Sequence, residues 1–291
     1  MARRVAILGG TGKMGKWFAK FFQGRGFRVV ISSRSPGKAA SVAKEIGVEN
    51  AKSMFDAAHS ADIVLVATPI AVTARVIREV SGGLKAEAII FDIASIKGEI
   101  IRALEEAEAL GARTLSLHPL FGPGAKSIDG KRLLIIPVGK DSDLIREVSG
   151  IFKGASIHIV ERWEDHDRMM ALTLSLPHFL NITFGKILSK TDINELKKFG
   201  GTTFTLQLLV AESVLSEDPD LYYEIQSQNK AFTKILDDFT EIVREEVSTI
   251  TNEDRERFVK DFENAADSLS KDPGFVNAYE RFYRALNAVQ Q

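Results

Sequence analysis

The chain has 291 residues, enough for two domains of ordinary size, and its 45% apolar and 26% charged content is typical of a globular protein. Its formal net charge of −1 argues against a broad positive field that would attract nucleic acid or an anionic membrane. The absence of cysteine excludes disulfides, thiolate nucleophiles and cysteine-based zinc or iron–sulfur sites.

Neither a targeting segment nor a membrane span is predicted. Residues 1–4, Met-Ala-Arg-Arg, lead into a short apolar strand rather than the longer apolar core of a signal peptide. No apolar run reaches the roughly 18–20 residues that a bilayer-spanning helix needs. We therefore expect a cytoplasmic protein whose partners include neither nucleic acid nor a membrane.

The first half of the chain alternates between predicted strands and helices. Short apolar runs predict strands at 5–8, 29–32, 63–67, 88–92, 114–117, 133–137 and 156–160. Amphipathic segments between them predict helices at 13–25, 36–46, 72–80, 96–110 and 144–152. In the first helix, Met14, Phe18, Phe21 and Phe22 share a face that we interpret as core packing. This alternation indicates βαβ units and therefore an α/β fold, a Rossmann-type doubly wound parallel sheet.

After about residue 162 the predicted strands stop. Helical patterns cover 166–188, 204–215, 221–247, 254–269 and 274–289. We divide the chain into a dinucleotide-binding Rossmann domain at 1–161 and an all-α domain at 162–291. Long amphipathic helices often bury their apolar faces against a second copy, so the all-α domain is predicted to form a homodimer.

The loop after the first strand reads Gly10-Thr11-Gly12-Lys13-Met14-Gly15 and fits the pattern G-x-G-x-x-G. It follows a predicted strand and opens a predicted helix, the context that this dinucleotide-binding pattern requires. Gly10 is expected to make the tight turn, Gly12 to let the backbone approach a pyrophosphate, and Gly15 to allow close helix–sheet packing. The alternative is a plain glycine-rich turn. The residues predicted to bind the cofactor in this loop are Gly10, Thr11, Gly12, Lys13 and Met14.

The end of the second strand bears on the choice between NAD and NADP. An acidic residue there would bind the ribose 2′-hydroxyl of NAD, but residues 31–35 read Ile-Ser-Ser-Arg-Ser. Arg34 and Ser33 offer a guanidinium and a donor to a 2′-phosphate, so NADP is favoured over NAD. The alternative is that Arg34 is a solvated loop arginine. Ala67, Thr68 and Pro69 end the next strand, where their backbone is expected to contact the ribose and phosphates.

His118 is the candidate general base. It closes the strand 114–117 at the edge where ligands bind in such folds, and Pro119 and Pro123 stiffen its loop. A fixed imidazole that titrates near neutrality suits removal of an alcohol proton as hydride departs. The alternative is a loop histidine that makes one structural hydrogen bond. Ser95 ends the preceding strand, where it would cap the next helix, orient His118 or bond a substrate hydroxyl.

The remaining histidines give weaker signals. His178 lies on a mostly apolar helix, a pattern typical of a core histidine. His166 looks like a helix start, and we assign it no chemistry. No acidic cluster or histidine pair has the spacing of metal ligands, so no metal is predicted.

A longer set of motifs resembles a known family. The segment 117–123, Leu-His-Pro-Leu-Phe-Gly-Pro, resembles the prephenate dehydrogenases of tyrosine biosynthesis, as do Ser95-Ile96-Lys97 upstream and His166-Asp167 through His178 downstream. Residues 216–222 are similar to that family's helical-domain turn, so the resemblance covers nearly the whole chain. It implies an oxidoreductase that oxidatively decarboxylates prephenate to 4-hydroxyphenylpyruvate, with hydride transfer to NADP.

The resemblance also implies a role for each matched residue. His118 would bond the ring 4-hydroxyl and take its proton. Ser95 would bond the same hydroxyl and His118, and His178 would line the substrate pocket. Aromatisation supplies much of the driving force, so the protein would mainly provide positioning and a base.

One departure from the family pattern concerns the substrate. The family commonly has an arginine in the helix near 204–206 that grips a substrate carboxylate, whereas this chain has Thr205. A neutral hydroxyl cannot replace a bidentate guanidinium–carboxylate pair. Lys126, Arg132 and Arg168 are the candidate replacements, and we count Lys126 among the predicted substrate-binding residues. Arogenate or an amino-substituted prephenate is the alternative substrate.

Two other functions compete with this interpretation. The glycine loop and residues 32–35 also resemble deazaflavin-dependent NADP reductases, but those are shorter and do not explain the motif at 117–123. A non-catalytic regulator that senses NADP and signals through the helical domain would not need both Ser95 and His118.

Overall fold

The computed structural model describes residues 2–289, and the chain divides into two compact units between Met170 and Ala171. The change of sequence pattern placed the boundary at 161/162. The difference is the helix Trp163–Met170, which lies in the first unit because its side chains bond residues of that unit.

The first unit is an eight-stranded sheet flanked by helices. Its strands are β1 (Arg4–Leu8), β2 (Arg28–Ser32), β3 (Glu49–Asn50), β4 (Ile63–Val66), β5 (Ile89–Asp92), β6 (Arg113–Pro119), β7 (Arg132–Pro137) and β8 (Ser156–Ile159). Its helices are α1 (Lys13–Gly24), α2 (Pro36–Ile46), α3 (Met54–His59), α4 (Ile70–Ser81), α5 (Gly98–Ala109), α6 (Ser142–Ile151) and α7 (Trp163–Met170). The strand order is β3-β2-β1-β4-β5-β6-β7-β8, which confirms the predicted doubly wound α/β fold. The sequence did not predict the two short elements β3 and α3.

Every pair of neighbouring strands is parallel except β6 and β7. A parallel return requires a long crossover, usually a helix, and the segment 120–131 contains none. The strand β7 therefore enters at the edge where β6 ends, and Leu133 lies opposite Pro119. A fully parallel sheet was predicted, and this prediction is wrong at that pair.

The aromatic face of α1 packs into the core of the first unit, as predicted. Phe18 and Phe22 are fully buried, and both make edge-on contacts with the ring of Phe152 at 6.2 and 5.9 Å between centroids. Burying such side chains contributes about 1.5–3 kcal/mol each. This packing holds α1 against the sheet and fixes the position of the glycine loop at its start.

The second unit is all-helical in the described residues. It opens with a π-helical turn, Ala171–Ser175, and contains a 3₁₀ turn at Phe275–Asn277. Its α-helices are α8 (Leu176–Leu188), α9 (Ile193–Phe199), α10 (Thr202–Leu215), α11 (Pro219–Ser227), α12 (Lys230–Thr251), α13 (Arg255–Leu269) and α14 (Ala278–Val289). Between residues 2 and 289, no helix combines the length and apolar content needed to cross a membrane.

Two of the predicted long helices are interrupted. The expected helix 221–247 breaks at Gln228 and Asn229, where the Asn229 side chain accepts a 3.0 Å hydrogen bond from the backbone N–H of Ala231 and so caps α12. Asparagine competes for backbone groups in this way and favours helix starts over helix interiors. The expected helix 166–188 is interrupted by the π-helical turn, for which the apolar pattern gives no signal.

Candidate active site

The loop after β1 is built around glycines. The N–H groups of Gly9 and Gly10 both donate to the carbonyl of Ser32, at 2.9 and 3.1 Å. Gly9 has φ of +90°, and a Cβ there would lie 2.4 Å from the carbonyl oxygen of Ala67. A Cβ on Gly10 would lie 2.5 Å from the Cβ of Ile31. Only glycine fits at either position, and Gly9 is one that the sequence pattern did not single out.

The start of α1 faces this loop. Gly12 is the N-cap residue, and no described side chain caps this helix end. A Cβ on Gly15 would lie 2.4 Å from the carbonyl oxygen of Gly9, so the helix approaches the loop as closely as a glycine allows. Lys13 is exposed, while Thr11 and Met14 are half-buried. An uncapped helix start behind a glycine turn suits an anionic group such as a pyrophosphate.

The ends of the two neighbouring strands complete this edge. The Ser33 hydroxyl donates to the carbonyl of Ser35 at 2.9 Å, and the Arg34 side chain is exposed and makes no ion pair with a described residue. At the end of β4, the N–H of Ala67 donates to the carbonyl of Leu8 at 2.7 Å. Thr68 and Pro69 then lead into α4, with Pro69 as its N-cap residue. The residues predicted to hold a dinucleotide thus lie at one edge of the sheet, and their chemistry fits that group.

His118 lies inside β6 rather than after it, because the strand continues to Pro119. It is opposite Leu134 of β7 and is only 3% exposed. Its Nδ1 is 2.9 Å from Nε2 of His166, a side chain that is 1% exposed. The interpretation of His118 as a loop residue is therefore wrong, although it still lies at the carboxyl end of a parallel strand.

His166 and Asp167 connect His118 to the start of α5. The Nδ1 atom of His166 is 2.8 Å from Oδ1 of Asp167. The two carboxylate oxygens of Asp167 also accept hydrogen bonds from the N–H of Lys97 at 3.1 and 3.2 Å, and Oδ2 accepts one from Gly98 at 3.3 Å. Asp167 therefore supplies the cap that α5 lacks from its own N-terminal residues.

Ser95 is half-buried in the turn between β5 and α5. Its interpretation as the helix cap is wrong, since Lys97 is the N-cap residue and the capping oxygens come from Asp167. Among residues 2–289, the Ser95 hydroxyl has no hydrogen-bond partner, and its predicted bond to His118 is not formed. Because the hydroxyl is unused within this unit, it is available to a bound molecule.

A buried ion pair lies beneath the site. The fully buried Lys97 ammonium donates to Oδ2 of Asp92 at 2.8 Å and to the carbonyl of Leu117 at 2.7 Å. The Ser116 hydroxyl donates to the other Asp92 oxygen at 2.5 Å. Lys97 therefore ties β5 to β6 at the residue just before His118.

Burial keeps both histidines of the site neutral. Desolvation lowers the pKa of His118 well below its ordinary value, and the neighbouring His166 and Lys97 lower it further. Desolvation likewise lowers the pKa of His166, although the hydrogen bond from its ring to Asp167 opposes part of that shift. A neutral imidazole has a lone pair, so His118 is in the protonation state that a general base needs at pH 7. From the sequence we expected an imidazole that titrates near neutrality, and that expectation is wrong, because burial and the neighbouring His166 and Lys97 lower the pKa of His118.

His178 belongs to the second unit, in the first turn of α8. Its ring meets Tyr222 edge-on with 4.6 Å between centroids, and its buried Nδ1 has no hydrogen-bond partner among the described residues. Burial lowers the pKa of His178 to about 4, so it too is neutral near pH 7. The sequence pattern predicted a satisfied core histidine, and the unpaired ring nitrogen does not agree with that.

The candidate carboxylate-binding cations have different surroundings. Lys126 is exposed and lines a cavity of about 460 Å³ beside α1, together with Trp17 and Lys20. Arg132 is exposed at the start of β7, next to the end of β6. Arg168 pairs with Asp165 at 3.0 Å on the surface. The Thr205 hydroxyl donates to the carbonyl of Gly201, the N-cap residue of α10, at 3.0 Å.

The sequence led us to give no role to four residues that build the site, namely His166, Asp167, Lys97 and Asp92, although the first three lie in the motifs that resemble the family. Each is a polar residue with little or no exposure: 1% for His166, 7% for Asp167 and 0% for the other two. The pattern did hold a signal for His166, which is followed four residues later by the buried Met170 on the same helical face. Lys97 and Asp92 have no such signal, because a charged residue near a strand end usually faces solvent.

Comparison with known families gives this arrangement a context. The model of the prephenate dehydrogenase nucleotide-binding domain matches residues 18–159, and the model of the prephenate dehydrogenase dimerization domain matches residues 162–264. The chain belongs to the prephenate dehydrogenase family. The second match includes α7, the helix that bears His166. In this prephenate dehydrogenase family member, however, α7 packs within the first structural unit, which holds the nucleotide-binding match.

Several relatives share this likeness. A protein of Methanocaldococcus jannaschii named "probable arogenate/prephenate dehydrogenase" is 34% identical over 268 residues, which is 90% of this chain and 60% of that protein. The chain thus spans less than two thirds of that relative's length. A prephenate dehydrogenase of Aquifex aeolicus, solved with hydroxyphenyl propionate and NAD⁺, shares the fold with a TM-score of 0.73 at 22% identity, over 93% of this chain and 98% of that chain. An arogenate dehydrogenase of Synechocystis shares it with a TM-score of 0.69 at 18% identity, over 92% and 99%.

Proposed function

We propose that this chain is a prephenate dehydrogenase that oxidatively decarboxylates prephenate to 4-hydroxyphenylpyruvate with NADP as the hydride acceptor. The observation that carries the proposal is the neutral, buried imidazole of His118 at the same sheet edge as the glycine loop. A hydride cannot leave a secondary alcohol unless the hydroxyl proton is also removed, and His118 is the group here that can accept one.

Each residue of the site has a defined task in this proposal. His118 accepts the proton of the ring 4-hydroxyl as the C4–H bond breaks and its electron pair leaves as hydride. Ser95 donates or accepts a hydrogen bond at the same oxygen, since its hydroxyl has no partner among the described residues. The ring carboxylate then leaves as CO₂, its bonding electrons complete the aromatic ring, and the proton returns to the phenolic oxygen. Aromatisation drives this last step, so the chain need only position the substrate and manage one proton.

NADP is proposed over NAD because of the end of β2. NADP supplies the hydride acceptor when it is bound. Arg34 has a guanidinium without a described ion-pair partner, so it can bond a 2′-phosphate. Ser33 lies beside it, and its hydroxyl would have to turn from the carbonyl of Ser35 to donate to the same group. The strand end has no carboxylate to hold a ribose 2′-hydroxyl.

The substrate assignment rests on which cation binds its carboxylates. We propose Lys126 for this role, because it is exposed in the loop that starts at the end of the strand bearing His118. Arg132 ends the same loop and is the alternative, whereas Arg168 is already paired with Asp165. His178 is proposed to line the pocket as a neutral group. Arogenate is the second candidate substrate, since the relative from M. jannaschii is named for both molecules.

We also propose that the chain acts as a homodimer through the second unit. The long helix α12 exposes Ile242, Val247 and Ile250 at 63%, 55% and 61%, a large apolar face for a water-exposed helix. The family model matched by this unit is described as a dimerization domain. A deazaflavin-dependent reductase and a non-catalytic sensor are not favoured by the family match.

The decisive experiment measures NADPH formation with prephenate and with arogenate, for the wild type and for His118→Gln. Loss of the base is expected to lower kcat by about 10²–10⁴. Arg34→Ala is expected to raise KM for NADP while leaving KM for NAD unchanged, which tests the cofactor within the same assay. An unchanged kcat in His118→Gln would refute the role of His118, and no turnover of either substrate by the wild type would refute the function.

A further inference from the structure

The hydrogen bonds around His118 determine where its single proton lies. His118, His166 and Asp167 form a hydrogen-bond relay. Nδ1 of His118 lies 2.9 Å from Nε2 of His166, and Nδ1 of His166 lies 2.8 Å from Oδ1 of Asp167. The three side chains are almost completely buried, at 3%, 1% and 7% exposure. Water therefore has little access to the two contacts, and each must be satisfied by the groups themselves.

Asp167 determines which atom donates in each hydrogen bond of this relay. Both of its oxygens already accept hydrogen bonds from the backbone N–H groups of Lys97 and Gly98, as an ionised carboxylate does. An ionised carboxylate cannot donate, so Nδ1 of His166 must be the donor in the 2.8 Å contact. Because the neutral His166 ring has only one proton, its Nε2 is left as an acceptor.

The same assignment of donor and acceptor atoms then applies to His118. Facing an acceptor at 2.9 Å, Nδ1 of His118 must hold the proton, and Nε2 is left with a lone pair. We infer that His166 and Asp167 are positioning residues that hold His118 in the one tautomer whose Nε2 can act as a base. The catalytic part of this inference rests on the proposed dehydrogenase function, whereas the tautomer itself does not.

The arrangement also prepares the site for the charged state of the base. When Nε2 of His118 takes a proton, the imidazolium still donates from Nδ1 to His166, and no side chain has to rotate. The negative charge of Asp167, one ring away, favours the new positive charge. Lys97 opposes it, with its ammonium beneath the site, and Asp92 compensates that ammonium at 2.8 Å. The carboxylate of Asp167 acts directly on the His166 ring, whose pKa it raises, and that ring stays the acceptor for the Nδ1 proton of His118.

The variant Asp167→Asn tests the inference directly, because it exchanges donor and acceptor in both hydrogen bonds of the relay with little change in side-chain shape. The amide oxygen can still accept from the N–H groups of Lys97 and Gly98, which leaves the NH₂ group to donate to Nδ1 of His166. His166 then has its proton on Nε2 and donates to Nδ1 of His118. We expect the His118 proton to move from Nδ1 to Nε2 as a result.

The tautomer is read by ¹⁵N NMR of the full chain with labelled histidine at pH 8, where both rings are neutral. The chain has five histidines, and the His118 signals are identified by their loss in His118→Gln. The inference requires a protonated Nδ1 on His118 in the wild type and a protonated Nε2 in Asp167→Asn. The same tautomer in both proteins, or a protonated Nε2 in the wild type, overturns it. This readout needs no substrate, so it stands apart from any failure of the proposed activity.

Activity then tests what the tautomer does. Asp167→Asn is expected to lower kcat by about 10²–10⁴ with KM for NADP unchanged. His166→Gln is expected to retain more activity, because its amide can donate to Asp167 and present an oxygen to Nδ1 of His118. The matched control is Asp165→Asn, which changes an exposed carboxylate two residues away and should leave kcat unchanged. If Asp167→Asn has the reversed tautomer but a wild-type kcat, the positioning role is refuted. If Asp167→Asn does not fold, the His166 variants still decide: a fall in kcat as large in His166→Gln as in His166→Leu would refute the tautomer mechanism.

Discussion

The buried ion pair between Lys97 and Asp92 makes a strong prediction about stability. Lys97→Met removes the ammonium but keeps a long, unbranched side chain, so the space beneath His118 stays filled. Asp92 then loses its 2.8 Å partner while still fully buried, and it keeps only the hydrogen bonds from Ser116 and Ala94. The carbonyl of Leu117 also loses its 2.7 Å donor. The variant therefore leaves one buried negative charge uncompensated.

The expected cost follows from this loss. Removing one partner of a buried ion pair destabilises proteins by about 3–5 kcal/mol, because the remaining charge stays desolvated. The two remaining hydrogen bonds to Asp92 keep the cost from exceeding that range. For a unit of this size, each 1 kcal/mol lowers Tm by about 2–4 °C, so a fall of roughly 6–20 °C is expected.

Urea and thermal unfolding of the full chain, followed by circular dichroism, measure the effect. The matched control is the double variant Lys97→Met/Asp92→Asn, which removes both charges and should recover most of the lost stability. A second readout is the acid limb of kcat/KM, which should move to higher pH in Lys97→Met because the ammonium lowers the pKa of His118. A single variant within about 1 kcal/mol of the wild type, or a double variant no better than the single, would contradict the reasoning.

Two further predictions concern pH and assembly. The pKa values of His118 and His166 are lowered in the folded chain from the ordinary 6.5, so below about pH 6.5 the unfolded chain binds more protons than the folded one. His178, with its pKa lowered to about 4, contributes in the same direction. The free energy of unfolding should therefore fall as pH drops below 6.5, by up to about 1.4 kcal/mol per pH unit for each of these histidines, and His118→Gln should remove its share of that slope in urea titrations at pH 8, 6 and 5. For assembly, light scattering should give the wild type twice the 32.0 kDa mass of one chain. Val247→Asp on the exposed face of α12 should give the single-chain mass, whereas a wild type of single-chain mass would rule out the dimer.

The parts of the fold that depend on local pattern were predictable. Buried strands such as β1 and β4 are short continuous apolar runs, and α2 begins and ends where its proline and glycine signals place it. The break between α11 and α12 was not predicted, because the apolar pattern continues across Asn229 and only its capping bond ends the register. The antiparallel β7 was also missed, since strand direction depends on the path of segment 120–131 rather than on composition.

The site divides in the same way. The glycine loop and His118 lie in motifs that the sequence displays, but the partners of His118 come from a helix 48 residues later in the chain. A histidine followed by an aspartate, in a segment rich in charge, is typical of a solvated helix face. Only the tertiary structure shows that α7 turns this pair inward, where Asp167 caps α5 and His166 meets the base.

The contacts of Lys97 explain why these groups act together. Its ammonium holds the carbonyl of Leu117, the residue before His118, and its own N–H is held by Asp167. Ser95 lies two residues before Lys97. The turn that presents the Ser95 hydroxyl is therefore held by the same groups that position His118 and its hydrogen-bond relay. A substitution of Lys97 or Asp167 would therefore disturb the Ser95 hydroxyl, the His118 imidazole and the hydrogen-bond relay together, because neighbouring residues of one hydrogen-bond network do not contribute independently. The position of the base therefore belongs to the network of α5, α7 and β6 rather than to the motif in which His118 stands.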